Sequence, residues 1–233
     1  MKENRWELAQ EYEKEWWDSR REALSLDFYK HFAEDLNLIL NGILEIKKDT
    51  FILEIGSGAA GTITYIDSNN KYAIDPLEYF YSTVKEFTKD RDSRVKYFSA
   101  KGEELPFEDS MFDLIIMDNV LDHCLDPEKV IDEINRVLKP CGIIFFRQST
   151  YHFWGVFIRR VMELIVVDRG HPFTFSKKYL ENLFIRFNFK TLKFSSSGYL
   201  NTWKKEFLSF KKKELAKALL FATRDKTLYI LKK

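Results

Sequence analysis

The sequence predicts an α/β fold, a doubly wound and largely parallel sheet with helices on its faces, and three observations carry that prediction. The run Phe51-Ile52-Leu53-Glu54-Ile55-Gly56-Ser57-Gly58-Ala59-Ala60-Gly61 is a short apolar stretch closed by glycines, the pattern of a buried strand that ends in a tight loop. Behind it, short apolar runs and amphipathic stretches alternate over about a hundred residues, which implies parallel strands joined by right-handed crossovers. Fourteen residues after Gly61 a second short run, Lys71-Tyr72-Ala73-Ile74, ends at Asp75. A glycine loop and an acid therefore meet at the carboxyl end of one sheet, where such folds bind nucleosides.

The elements follow in order. Residues Trp6 to Arg20 place Ala9, Tyr12 and Trp16 on one helical face with Trp17 beside them, an amphipathic helix. Asp27 to Asn41 repeats the period through Phe28, Phe32, Leu36, Ile39 and Ile43, and Gly42 stops it. A βαβ unit surrounds the glycine loop. Pro76 starts a helix with the stripe Leu77, Phe80, Tyr81, Val84 and Phe87, followed by a third strand, Val95 to Phe98. Phe112 to Met117 is the fourth strand, and Asp118 and Asn119 fall at its end. Asp126 caps a helix with Pro127 in its first turn and Val130, Ile131, Ile134, Val137 and Leu138 facing inward. Lys139-Pro140 ends that helix, and Ile143 to Arg147 is the fifth strand.

Beyond Arg147 the period changes. Phe153 to Val167 reads as a lid or insertion helix, and Ser176 caps another helix through Leu180, Leu183, Phe184 and Phe187. Two strands, Phe189 to Phe194 and Thr227 to Leu231, flank a lysine-rich helix from about Trp203 to Phe221. The expected organisation is a single domain over 1–233: a helical cap over 1–45, a binding core over 50–147, a substrate or lid region over 148–200, and a terminal helix and strand over 201–233.

Composition narrows the function. Lys+Arg 37 against Asp+Glu 36 leaves a net charge of +1 in 233 residues, so no global field favours nucleic acid. Cys124 and Cys141 are the only cysteines, which argues against a disulfide framework or a zinc site, and no metal is expected. The first residues lack the apolar core of a signal peptide, and the longest apolar segment carries Arg159, Arg160 and Glu163. A cytoplasmic protein without a membrane span is expected. The lysines around Lys204, Lys205, Lys211, Lys212, Lys213 and Lys217 read as a solvated face, with contact to a membrane surface as the alternative.

The spacing Gly56-x-Gly58-x-x-Gly61 satisfies the dinucleotide fingerprint, which keeps a nicotinamide oxidoreductase open. Four other blocks point elsewhere: Leu53-Glu54-Ile55-Gly56-Ser57-Gly58, then Asp75-Pro76, then Glu103-Glu104-Leu105-Pro106-Phe107 with Phe112-Asp113, then Asn119-Val120-Leu121-Asp122-His123 leading to Leu138-Lys139-Pro140-x-Gly142. In their order and spacing these blocks resemble the class I S-adenosylmethionine-dependent methyltransferases of the small-molecule type 11 kind, over roughly residues 50–147.

That resemblance implies a Rossmann-like seven-stranded sheet of order 3-2-1-4-5-7-6 with strand 7 antiparallel. It implies S-adenosyl-L-methionine as cofactor, S-adenosyl-L-homocysteine as product and a small-molecule acceptor, a sugar, a lipid-linked intermediate or a natural product, methylated on O, N or C. Glu54, Gly56, Ser57 and Gly58 would hold the methionine part, Asp75 with Pro76 the ribose, Gly102 and Glu103 the adenine, and Asp118 and Asn119 would lie under the sulfonium end. Two positions depart from the family pattern: Ala60 replaces its third glycine, and Lys101 stands where an acid often accepts a bond from the adenine amine.

Tyr12, Trp16 and Trp17 could close the first helix over the cofactor, since an aromatic face attracts a sulfonium; core packing is the alternative for at least one of the tryptophans. His123, just beyond the fourth strand, is the first candidate for a proton acceptor, and His171, in Gly170-His171-Pro172-Phe173, is the second. Loop packing and a structural turn are the respective alternatives. A methyltransferase-like subunit that binds a partner without catalysis also stays open.

Overall fold

The computed structural model describes residues 2–22, 25–164, 170–209 and 211–233. A seven-stranded sheet runs in the order β3-β2-β1-β4-β5-β7-β6, from β1 (Phe51–Ile55), β2 (Asn70–Ile74), β3 (Val95–Phe98), β4 (Phe112–Asp118), β5 (Leu138–Tyr151), β6 (Lys190–Ser196) and β7 (Arg224–Lys232). The first five pair in parallel, and β7 lies antiparallel between β5 and β6. This is the expected sheet.

Successive residues of a strand point to opposite faces, so each central strand supplies two cores. Leu53, Ile55, Ile115, Met117, Ile144 and Phe146 face α5 (Pro127–Val137) and α7 (Lys177–Arg186) through Val130, Ile134, Leu180 and Phe184. Ile52, Leu114, Ile116, Ile143 and Phe145 face α2 (Asp27–Leu40) through Phe32, Ala33, Leu36 and Leu40. Both predicted caps form: Asp126 accepts from the N–H groups of Glu128 and Lys129, and Ser176 from that of Tyr179.

The crossovers depart from expectation. Between β1 and β2 there is no α-helix; the chain makes a single 3-10 turn at Thr62–Tyr65. Thr62, Ile63 and Thr64 are β-branched and favour helix weakly, and the Glu54 carboxylate holds the turn by accepting from Thr62 N–H (3.1 Å) and Ile63 N–H (2.8 Å). The face left open is covered by α2, whose buried stripe meets Ile63 and Ile66. That stripe is Tyr29, Phe32, Ala33, Leu36 and Leu40, with Phe28 turned out, because the helix is apolar around much of its circumference and the sheet selects the face.

The helix expected after Pro76 is broken into α3 (Glu78–Ser82) and α4 (Lys85–Thr88), with Val84 extended between them. β5 begins at Leu138 and runs through Lys139-Pro140 to Tyr151, with Cys141 in the left-handed region and an irregular register opposite Phe112 and Leu114. It gains its length by pairing with β7 from Ile143 to Tyr151. The lysine-rich helix is a hairpin of α8 (Tyr199–Phe207) and α9 (Lys212–Leu219). Of the expected insertion helix, α6 (Phe153–Leu164) is described, and its end near Val167 lies outside the described residues. The amino-terminal helix α1 (Lys2–Asp18) starts and stops earlier than expected. It is fixed by Trp17, which packs edge-on against Tyr81 and Phe87.

Candidate active site

A cavity of about 920 Å³ opens at the carboxyl ends of β1, β2 and β4, at the upper end of the size range for small-ligand sites. Its floor is the glycine loop. Gly56, Gly58 and Gly61 have φ of +70°, +59° and +76°, a region that glycine enters without a Cβ penalty. A Cβ on Gly58 would lie 2.6 Å from the Tyr29 hydroxyl oxygen and 3.0 Å from Trp17 Cζ2. Gly58→Ala should therefore destabilise the fold by about 1–3 kcal/mol through strain and overpacking. A urea midpoint equal to wild type would contradict this. Gly61 makes room for a carboxylate, since its Cβ would sit 2.6 Å from Glu54 Oε2.

Glu54 and Asp75 line the same cavity. Burial pushes the Glu54 carboxyl up to about 8, against the two turn N–H groups that favour its charged form. Asp75 accepts from Gly58 N–H and Leu77 N–H, each at 2.9 Å. Burial raises its carboxyl to about 6. The acid thus braces the loop as well as facing the cavity, with Pro76 beside it on the wall. Tyr29 completes the brace from α2: its O–H donates to the Ser57 carbonyl at 2.9 Å. No local pattern singles out Tyr29, because its partner lies far away in the sequence.

Glu103 is buried, and its Oε1 accepts from Leu125 N–H (2.6 Å) and Asp126 N–H (3.0 Å). The carboxylate expected beside an adenine therefore also ties the loop after β3 to the start of α5. Gly102 sits against Val130, where a Cβ would come within 3.3 Å. Lys101 turns toward α1 and places its ammonium 4.0 Å from the centre of the Trp6 ring, an attraction that helps hold that helix over the cavity. Asp118 is clamped by Arg147 through two bonds of 2.5 and 2.6 Å. Asn119, in the left-handed region, accepts from Ser149 N–H at 3.0 Å.

From α1, Trp6, Gln10 and Glu13 reach the cavity together with the expected Tyr12, Trp16 and Trp17. Tyr12 stays partly exposed, whereas Trp17 is buried in the aromatic cluster with Tyr29, Tyr81 and Phe87 and donates to Glu13 Oε1 at 3.0 Å. His123 and His171 come together at the far end, their rings 4.6 Å apart. His31 also lines the cavity, and His152 lies against Phe153 and Tyr199 away from it.

A family model described as a methyltransferase domain matches residues 53–146. Over 61 residues the chain is 43% identical to the mitochondrial 2-methoxy-6-polyprenyl-1,4-benzoquinol methylase of Caenorhabditis elegans, covering 25% of this chain and 21% of that protein. It is 28% identical over 131 residues to thiol S-methyltransferase TMT1B of Rattus norvegicus, covering 53% of this chain and 54% of that one. The matched part thus spans between a fifth and about half of the length of these curated relatives. Among solved structures, phosphoethanolamine N-methyltransferase 2 of Haemonchus contortus, in complex with phosphomonomethylethanolamine and S-adenosylhomocysteine, superposes with a TM-score of 0.60 at 16% identity. The likeness covers 85% of this chain and 52% of that one.

Proposed function

We propose that the chain, whose residues 53–146 match a methyltransferase domain, is a class I S-adenosylmethionine-dependent methyltransferase that transfers a methyl group from S-adenosylmethionine to a heteroatom or carbon of a small metabolite. The observation that carries this is the convergence of Glu54, the glycine loop and Asp75 on one cavity at the crest of the sheet. A cationic, diol-bearing ligand finds two carboxylates there and a floor without side chains. The ribose hydroxyls donate to Asp75, the methionine part lies over Gly56, Ser57 and Gly58 near Glu54, and the adenine lies against Gly102 beside Glu103. Asp118 and Asn119 stand under the sulfonium end, and Trp16, Trp17 and Tyr12 supply aromatic surface from α1.

The sulfonium is a good leaving group, so the protein's task is to align nucleophile, methyl carbon and sulfur and to exclude water. Such alignment is worth roughly 7–11 kcal/mol in favourable cases. The acceptor occupies the end bounded by His123, His171 and Arg147, built from α1, α2 and the region 148–200. A thiol in the name of one relative and a polyprenyl benzoquinol in that of another support a small-molecule acceptor. None of the described helices is long and apolar enough to cross a membrane.

Calorimetry tests the cofactor half of this proposal. S-adenosylmethionine and S-adenosylhomocysteine should each bind at one site per chain, and NAD should give no saturable heat. Saturable NAD binding with no heat from either adenosyl ligand would overturn the proposal and favour an oxidoreductase.

A further inference from the structure

We propose that Asp122, His123 and His171 form a binding site for one divalent first-row transition ion at the acceptor end of the cavity, where it would hold a hydroxyl or thiol of the acceptor as its anion. The role given to the ion rests on the methyl-transfer reading above; the site itself does not. One ligand atom from each of the three residues lies within 4.8 Å of the other two, and Asp122 Oδ1 stands 3.9 Å from His123 Nε2. Metal–nitrogen and metal–oxygen bonds are about 2.0–2.2 Å, so modest side-chain rotations close the set around an ion.

A second, independent observation points to a cation. Asp122 is 6% exposed, and its Oδ1 has no hydrogen-bond partner among the described residues. A buried carboxylate oxygen left without a hydrogen bond is costly, and the His123 Nε2 atom 3.9 Å away is too distant for a direct bond. A cation at this point would supply the Asp122 oxygen with its missing partner, within reach of ligand atoms of both imidazoles. The two segments that supply the ligands are already tied together. Asp122 and His123 sit on a 3-10 turn at Leu121–His123, and Phe173 N–H donates to the Asp122 carbonyl at 3.3 Å. Tyr151 N–H in turn donates to the Phe175 carbonyl at 2.9 Å, which anchors the second segment to β5. Cys124 is nearby, but its thiol is engaged with the Val120 carbonyl at 3.4 Å. The donor set is therefore two imidazole nitrogens and one carboxylate oxygen, which suits zinc, cobalt, iron or manganese and leaves positions open.

His123 and His171 line the cavity, so the open positions fall where the acceptor is expected. Binding there lowers the acidity threshold of an O–H or S–H group. The proton leaves to solvent, the metal-bound oxygen or sulfur attacks the methyl carbon, the carbon–sulfonium bond breaks, and its electron pair stays on sulfur as the neutral thioether. Under this assignment the imidazoles act as ligands, in place of the proton acceptor that sequence alone suggests.

The test uses untagged protein stripped with a chelator and titrated with Co(II), read by visible absorption and by calorimetry, with S-adenosylhomocysteine binding measured in parallel. One Co(II) per chain is expected, displaced by Zn(II). Asp122→Asn, His123→Ala and His171→Ala should each weaken it by more than about 100-fold, with circular dichroism and S-adenosylhomocysteine binding retained. No Co(II) uptake by folded protein, or uptake unmoved by the three substitutions, overturns the proposal. Stoichiometric Co(II) uptake without S-adenosylhomocysteine binding leaves the metal site standing and refutes the cofactor reading instead.

Discussion

Asp92→Ala should lower the unfolding free energy by about 3–5 kcal/mol, the range for removing one partner of a buried ion pair. The Lys71 side chain is fully buried, and its ammonium lies 2.7 Å from Asp92 Oδ2. Its other partners are the carbonyls of Ile66 (3.0 Å) and Thr64 (3.4 Å), which accept bonds but carry no full charge. Burial already lowers the Lys71 pKa, and the pairing with Asp92 opposes that shift. Asp92 has a second cation in Arg94, at 2.6 Å on the surface, so the two deletions are unequal. Lys71→Met leaves Asp92 paired with Arg94 and should cost little, and adding it to Asp92→Ala should recover most of the loss. Urea midpoints of the four proteins form the cycle. A drop below about 1 kcal/mol in Asp92→Ala would show that the lysine escapes to water or sheds its proton.

The same pair gives a pH signature. Arg94, and after it Lys71, hold the Asp92 carboxyl well below the usual carboxylate range. A depressed folded-state value means the contribution is complete above the ordinary aspartate range and is lost as pH falls beneath it. The gap between wild type and Asp92→Ala should therefore narrow in acid.

The central strands β1, β4 and β5 were legible because burial on two faces leaves an unmistakable apolar run, and the acids and glycines of the site were legible because they sit at or just beyond strand ends. The crossovers were not. Whether Thr62-Ile63-Thr64 winds into a helix depends on what covers that face, and here α2 arrives from upstream in the chain to do so. The same long-range packing decides what sequence could not place. Tyr29 reaches the glycine loop, Lys101 stacks on Trp6, and His171 meets His123 because β5 carries the later segment back over the crest. Glu54, Asp75 and Glu103 fall where local pattern puts them. What pattern does not reveal is that each also braces backbone N–H groups, so that the acids lining the cavity are part of its architecture.

That double duty shapes the strongest binding prediction. Asp75→Ala should weaken S-adenosylhomocysteine binding by roughly 30- to 100-fold, since bonds to a charged group are worth about 1.5–3 kcal/mol each. Part of the loss has nothing to do with the ribose: Gly58 N–H and Leu77 N–H each lose their acceptor, and the loop that carries the ligand loosens. Asp75→Asn separates the two effects. Its one amide oxygen can still accept from a single N–H, so the loop is half braced, and the charge that draws the diol is gone. An intermediate loss of roughly 10-fold is expected, of the size of one charged bond replaced by a neutral one. The pH dependence should discriminate further. With its carboxyl raised to about 6 by burial, Asp75 loses its charge as pH falls through that value, so wild-type affinity should decline below it and level off above. Asp75→Asn should lack that step while keeping any contribution from Glu54, whose carboxyl titrates near 8. A dissociation constant unchanged in Asp75→Ala, or an identical pH profile in wild type and Asp75→Asn, would remove this acid from the cofactor site and leave it a structural brace.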